Sequence, residues 1–195
     1  MTRIGRIALS GLAVTALTLC VSPPASADET ALAIDPAQTK VEFTLDDVLH
    51  TVHGTFKLKR GSMKFDPATG RAGGELAVDA TSGDSGAGAR DSRMNKNILE
   101  SDKYPEIVFR PDRVEGTVAP QGKSHVKLHG TFSIHGADHE IEMQADVEAN
   151  QGQYSATVTF VVPYVKWGMK NPSTLFLRVK DEVAITIHTV AKPTK

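Results

Sequence analysis

An apolar residue at every second position recurs along most of this chain, and no other feature limits its fold as strongly. The longest clean example contains Val126, Leu128, Gly130, Phe132 and Ile134, each separated from the next by a polar residue. Successive side chains of a β-strand point to opposite faces, so this pattern is typical of a strand with one buried face. No long helical period, internal repeat or low-complexity tract competes with it.

The same alternation returns in other segments, separated by turn residues about every ten positions. The inward-facing residues that it predicts there are Val41, Phe43, Leu45, Val52, Phe56, Leu58, Met63, Phe65, Leu76, Val78, Ile107, Phe109, Ile141, Met143, Tyr154, Val158, Phe160, Val183, Ile185 and Ile187. About eight strands of this spacing predict an antiparallel sandwich or barrel. A barrel of that size either fills with side chains or holds one small ligand, and alternation does not distinguish the two.

Turns are predicted where glycine, proline, aspartate and asparagine cluster between the alternating segments. The clearest ones are residues 66–70, 120–123, 135–138 and 150–152. A further turn is predicted at Gly61, between the inward residues up to Leu58 and those from Met63. These turns are short, which favours antiparallel neighbours joined by hairpins.

Residues 86–109 contain the one stretch in which the alternation typical of a strand stops. Met94 and Ile98 are four residues apart, with Leu99 beside them, as one face of a short helix requires. We therefore predict a glycine-rich loop, a helix of about two to three turns, and a return to strand at Pro105. A helix this short is marginal in water by itself. Its apolar edge is expected to lie on the end of a barrel or sandwich.

The Arg90-Asp91 pair that opens this helix, followed by Tyr104-Pro105-x-Ile107-x-Phe109, resembles the signature of the YceI-like family of polyisoprenoid-binding proteins. Further pieces resemble that family in the same order: Ile34-Asp35, Val41-x-Phe43, Gly54-x-Phe56, Gly61-x-Met63-x-Phe65-Asp66, Gly130-x-Phe132-x-Ile134-x-Gly136 and Asp181-Glu182-Val183-x-Ile185-x-Ile187. The resemblance implies an all-β fold: an antiparallel lipocalin-like barrel of about eight strands, with one short helix near the barrel mouth. It also implies an apolar interior that takes the tail of an isoprenoid lipid, of the quinone or polyprenyl phosphate type.

The resemblance thereby turns the inward residues into candidate ligand contacts. The predicted interior contacts are Val41, Phe43, Phe56, Leu76, Phe109, Phe132, Met143 and Phe160. Arg90 and His139 are predicted at the mouth, against the lipid head group. Arg90 has a second interpretation, in which it pairs locally while Asp91 stabilises the helix N-terminus through the macrodipole.

Residues 1–27 have the three parts of a secretory signal. Arg3 and Arg6 are the basic region, residues 7–21 are apolar, and Ala25-Ser26-Ala27 is a small-x-small cleavage site. Cleavage would leave a single domain, residues 28–195, and would remove Cys20, the only cysteine. A lipoprotein signal ending at Cys20 is disfavoured because Leu19 is bulky. The prediction is a periplasmic or secreted protein.

The sequence lacks the motifs that several common functions require. The net charge is −1 and no basic patch is present, which argues against a nucleic-acid partner. Seven histidines invite a metal site, but His-Glu-x-x-His is absent and the mature chain has no thiolate, so neither a metal nor a cofactor is predicted. A Gly-x-Ser-x-Gly nucleophile elbow is absent. Residues 83–88 lack the Lys-Ser/Thr end of a phosphate-binding loop.

The sequence with its resemblance therefore predicts a binding or carrier protein for a long amphiphilic lipid, without a catalytic step. Two alternatives stay open. One is a secreted hydrolase or isomerase that uses a histidine at the barrel mouth. The other is a barrel filled with side chains that serves as a structural or interaction module.

Overall fold

The computed structural model describes residues 29–46, 50–174 and 178–194. Over these residues the strands are β1 (Thr30–Ile34), β2 (Lys40–Asp46), β3 (Thr51–Phe65), β4 (Ala72–Asp84), β5 (Glu106–Glu115), β6 (Gly122–Ile134), β7 (Ala137–Asn150), β8 (Gln153–Val162) and β9 (Val183–Pro193). A 3₁₀ turn (Pro36–Gln38) joins β1 to β2. Helix α1 (Gly88–Arg93) continues into a π-helical turn (Met94–Ile98) between β4 and β5. The predicted signal, residues 1–27, lies outside the described residues.

The strands close into a barrel. Each strand from β2 to β8 pairs antiparallel with the next one, and β9 pairs back onto β2. The short strand β1 has the same two neighbours as β2, namely β3 and β9, so β1 and β2 occupy one position of the ring in series. The predicted all-β antiparallel barrel of about eight strands with one short helix is confirmed. Strand β1 is additional to the strands that the alternation predicts.

Two hairpins of the barrel use the turns that right-handed strand twist favours. Strands β6 and β7 are joined by His135 and Gly136, with φ angles of 52° and 76°. Strands β7 and β8 are joined by Gln151 and Gly152, with φ angles of 48° and 79°. Positive φ at both central residues is the signature of a type I′ turn. The turns predicted at residues 135–138 and 150–152 are confirmed.

The turn predicted at Gly61 is wrong, because Gly61 lies inside β3, paired with Leu76 of β4. The register between β3 and β4 shifts between Leu58 and Arg60, where β3 has one extra residue. Such a β-bulge exchanges the two faces of a strand without ending it. The inward positions consequently change from even numbers, as at Leu58, to odd numbers, as at Phe65. In the sequence, this change from even to odd inward positions suggests a turn. In the structure, it is caused by the bulge.

The buried apolar side chains form one contiguous cluster inside the barrel, and Leu99, just after the helical segment, joins it. The outer face is charged; Arg60, for example, forms ion pairs with Glu75 at 2.7 Å and with Glu106 at 2.8 Å. Exposed ion pairs contribute at most about 1 kcal/mol each, so the interior supplies most of the stability. In the part of the chain that the structure describes, no helix is long and apolar enough to cross a membrane.

Candidate functional site

A cavity of about 590 Å³ occupies the half of the barrel next to the helical segment. We call this cavity the upper chamber, and we call the end of the barrel at which the helical segment lies the mouth. Five of the eight predicted interior residues line the upper chamber: Val41, Phe43, Phe56, Phe132 and Phe160. They come from four different strands. The cavity therefore exists because the strands close into a barrel, and no single stretch of the sequence forms it.

A second cavity, of about 110 Å³, lies deeper in the barrel, and we call it the lower chamber. The other three predicted interior residues, Leu76, Phe109 and Met143, line this cavity and not the upper one. Phe132 and Phe160 line both. The alternation in the sequence assigns all eight residues to the inner face, and the structure divides them by depth.

The helical segment between β4 and β5 forms one wall at the mouth. Met94 and Ile98, the predicted apolar pair, both line the upper chamber, and buried Leu99 follows them. The backbone N–H of Leu99 donates to the carbonyl of Met94 at 2.9 Å, a bond that spans five residues as in a π-helix. The predicted helix with an apolar edge on the end of the barrel is confirmed.

Arg90 of α1 lines the upper chamber at the mouth and is fixed by Ser85. Its Nε donates to the Ser85 hydroxyl oxygen and its Nη2 to the Ser85 carbonyl, both at 2.7 Å. The Ser85 hydroxyl donates in turn to the carboxylate of Asp91, which also accepts the Ser85 N–H at 2.9 Å. Arg90 thus pairs locally, as one of its two interpretations predicts, and it is also one of the residues that line the upper chamber. Its contact with a head group stays a prediction.

Arg93, one turn further along the same helix, also lines the upper chamber. Within residues 29–46, 50–174 and 178–194 its guanidinium makes no hydrogen bond and no ion pair. Sequence reasoning missed Arg93, although its spacing of three from Arg90 could have placed both on one helical face. The mouth therefore holds two cations, one fixed by Ser85 and one without a protein partner in the described ranges.

The segment after β8 forms the opposite wall of the mouth. Tyr164 and Met169, both buried, line the upper chamber. The Tyr164 hydroxyl donates to the carbonyl of Lys180 at 2.6 Å. Burial, with a smaller effect of the charge of Asp181, raises the pKa of Tyr164 to about 12. Sequence reasoning missed both residues, because this segment has no periodic pattern that indicates which side chains point inward.

His139, predicted at the head group, is not among the residues that line either chamber. Its ring lies parallel to that of Trp167, with 4.0 Å between the ring centroids and an angle of 5° between the planes. Trp167 also contacts Phe132, at 5.9 Å between centroids. His139 and Trp167 therefore form a stacked pair beside the chamber wall. Contact of His139 with a head group stays a prediction.

The remaining polar groups offer little chemistry inside the barrel. No histidine of the described residues lines either chamber. In the same ranges no three His, Cys, Asp or Glu side chains are grouped so that they could hold a metal ion. The charged residues that line the upper chamber are Arg90 and Arg93, both at the mouth. The site is thus an apolar cavity with positive charge at one end.

The sequence matches a known protein family, and the fold matches several solved structures. Residues 32–191 match the family model of the YceI-like domain. Among solved structures, BcnA of Burkholderia cenocepacia superposes with a TM-score of 0.67 at 19% identity, covering 82% of this chain and 99% of that one. A polyisoprenoid binding domain from Saccharophagus degradans, implicated in plant cell wall breakdown, has a TM-score of 0.62 at 15% identity, covering 85% and 99%. The YCEI protein of Campylobacter jejuni has a TM-score of 0.53 at 16% identity, covering 95% and 92%. No curated protein matches the chain.

Proposed function

The chain belongs to the YceI-like family, and on that basis we propose that it is a carrier for an isoprenoid or similar amphiphilic lipid. The apolar tail would occupy the upper chamber and the polar head would lie at the mouth. The chain would hold and release the lipid unchanged.

The observation that carries this proposal is the polarity of the upper chamber. Its wall is almost entirely apolar over about 590 Å³, and the charged groups that line it from the described part of the chain are two arginines at one end. An amphiphile has the same division, with one long apolar part and one polar end. Burying its tail gains about 0.8 kcal/mol for each methylene-sized group, a gain partly offset by lost motion of the lipid.

The two alternatives have less support. A chamber of about 590 Å³ is difficult to reconcile with a barrel filled by side chains, because protein interiors are packed like organic crystals. A hydrolase or isomerase with a histidine at the mouth needs that ring within reach of the ligand, whereas His139 is stacked on Trp167 beside the wall. The solved relative from Saccharophagus degradans, described as a polyisoprenoid binding domain, shares the fold.

The head group is proposed to be a polyprenyl phosphate or a quinone. Arg93 has donors without a partner in the described part of the chain, and Arg90 stands one helical turn away. A guanidinium donates two parallel hydrogen bonds to phosphate oxygens. It can also donate to a quinone carbonyl, but that bond is weaker because the carbonyl oxygen carries no net charge. The arginine pair favours the anionic head group of the two.

The carrier proposal predicts that protein isolated from its own host without detergent contains lipid. Organic extraction followed by mass spectrometry should yield an isoprenoid phosphate or quinone at close to one molecule per chain. Extracted protein should melt at a lower temperature, and adding the lipid back should restore the melting temperature as mass action requires. An empty extract, together with no binding and no thermal shift on adding either lipid class, would contradict the proposal.

We also propose that the protein acts in the periplasm or outside the cell, after cleavage following Ala27. The support is the three-part pattern of residues 1–27. Mass spectrometry of the exported protein should give Asp28 as the first residue. An N-terminal Cys20 carrying acyl chains would instead indicate a lipoprotein and would overturn this assignment.

A further inference from the structure

The upper and lower chambers meet at a layer of side chains that belongs to both. Its members are Val78, Ile107, Phe132, Phe160 and Ile187. Within this layer the rings of Phe132 and Phe160 contact each other edge to face, with 5.6 Å between centroids and 70° between planes. Aromatic rings in this arrangement attract each other beyond the area that they bury. These side chains therefore lie between the two chambers.

The volumes of the two chambers set how much of a tail each can hold. A cavity of about 150 Å³ in a protein core holds one benzene, which is six carbons. By that measure the upper chamber, at about 590 Å³, holds about 24 carbons, or four to five isoprene units. The lower chamber, at about 110 Å³, holds less than one benzene. Any longer tail therefore needs space that the upper chamber does not have.

The two rings of the layer are not equally fixed. Phe132 is 7% exposed and packs against Trp167 as well as against Phe160. Phe160 is only partly buried, and Phe132 is its one close aromatic neighbour among the described residues. Phe160 is therefore the member of the pair that can move with the smaller loss of contacts.

We propose that the Phe132–Phe160 pair is the floor of the lipid site and sets the length of tail that the barrel prefers. Tails of up to four or five isoprene units fit above the floor. A longer tail reaches the lower chamber only by displacing the Phe160 ring, or it leaves its end outside the mouth. This inference rests on the proposed lipid-carrier function and adds to it a specificity-determining residue.

The test is a series of prenyl monophosphates with two to eight isoprene units, each titrated into delipidated protein. Binding to the wild type should tighten by roughly tenfold or more for each added unit and should stop improving at about four or five. Phe160→Ala removes one of the two rings of the floor, so the two chambers should join and tightening should continue for at least one further unit. The longest probes should then bind the variant at least tenfold more tightly than they bind the wild type.

Ile185→Ala is the matched control. Ile185 pairs with Phe160 in the β8–β9 register and lines only the upper chamber, so truncating it enlarges that chamber without opening the floor. Its length limit should be the same as that of the wild type, because the three carbons removed from the wall leave room for less than one five-carbon isoprene unit. Phe160→Leu, which also takes away the ring, provides a second variant if Phe160→Ala does not fold.

The outcomes separate this inference from the function on which it rests. If no prenyl monophosphate binds and prenyl quinones of the same lengths do not bind either, both the carrier function and the floor are wrong. If probes bind but the wild type continues to tighten up to eight units, the carrier function stands and the floor is wrong. The same conclusion follows if a folded Phe160→Ala or Phe160→Leu protein keeps the wild-type length limit.

Discussion

Replacing Gly130 with alanine should destabilise the barrel by about 3 kcal/mol, near the upper end of what overpacking costs. A Cβ on Gly130 would lie 2.2 Å from the carbonyl oxygen of Arg110 and 2.8 Å from the Cα of Pro111. Both atoms belong to the backbone of β5, which pairs with β6 at this point, so no side-chain rotation can relieve the contact. Urea unfolding followed by circular dichroism would measure the loss.

Gly88→Ala is the control for this substitution. A Cβ there meets nothing within 4 Å, and Gly88 begins helix α1. Alanine has a higher helix propensity than glycine, so this variant should be as stable as the wild type or more stable by up to about 1 kcal/mol. If Gly130→Ala is instead as stable as Gly88→Ala, β5 and β6 can move apart at Gly130 and the close approach of their backbones is not required.

Phe132→Asp should abolish the folded state at neutral pH. Removing a buried aromatic ring costs about 3–5 kcal/mol, and an unpaired carboxylate adds the cost of leaving water. Phe132 is buried at the layer between the chambers, and the cations that line the upper chamber are at the mouth. Among the described residues, no positive charge in the chamber walls near this layer compensates the new carboxylate.

Acid should partly rescue the variant. The apolar surroundings raise the folded-state pKa of the introduced carboxyl. Burying the carboxyl in its neutral form costs less free energy than burying the carboxylate, so protonation stabilises the folded protein. The penalty is therefore smallest below the unfolded-state pKa of about 4 and grows as the pH rises above it. Phe132→Leu keeps the position apolar and should cost only about 1–2 kcal/mol at every pH. A Phe132→Asp protein that folds normally at pH 7 would mean that water reaches this layer.

The alternation of residues predicts the ring of strands well, because burial of one strand face is a local property of the sequence. It does not predict strand β1, which has only five residues, too few for a clear period. It also misplaces a turn at Gly61, because a bulge and a turn both change the parity of the apolar positions. Which of the two occurs depends on the partner strand, and the partner is distant in sequence.

The site is predicted less completely than the strands, because it too depends on residues that are distant in sequence. The pattern shows that Phe43 and Met143 face inward, but it does not show that one lines the upper and the other the lower chamber. Depth and volume depend on how far apart facing strands lie. Tyr164 and Met169 line the upper chamber from an irregular segment, where no period assigns a direction to side chains. Arg93 could have been found from its helical spacing to Arg90.

Closure of the barrel by β9, the last strand, also affects the order in which the protein can fold. The hydroxyls of Thr39 and Thr189 are 3.0 Å apart across the β2–β9 seam, although 150 residues separate them in sequence. Until β9 joins the folding sheet, the sheet therefore keeps two unpaired edges, one formed by β1 and β2 and the other by β8. Open edges are where sheets pair with foreign strands, so this interval carries the greatest risk of aggregation. Once β9 pairs with both edges, the ring has no open side, and a molecule can reach the interior only from an end of the barrel.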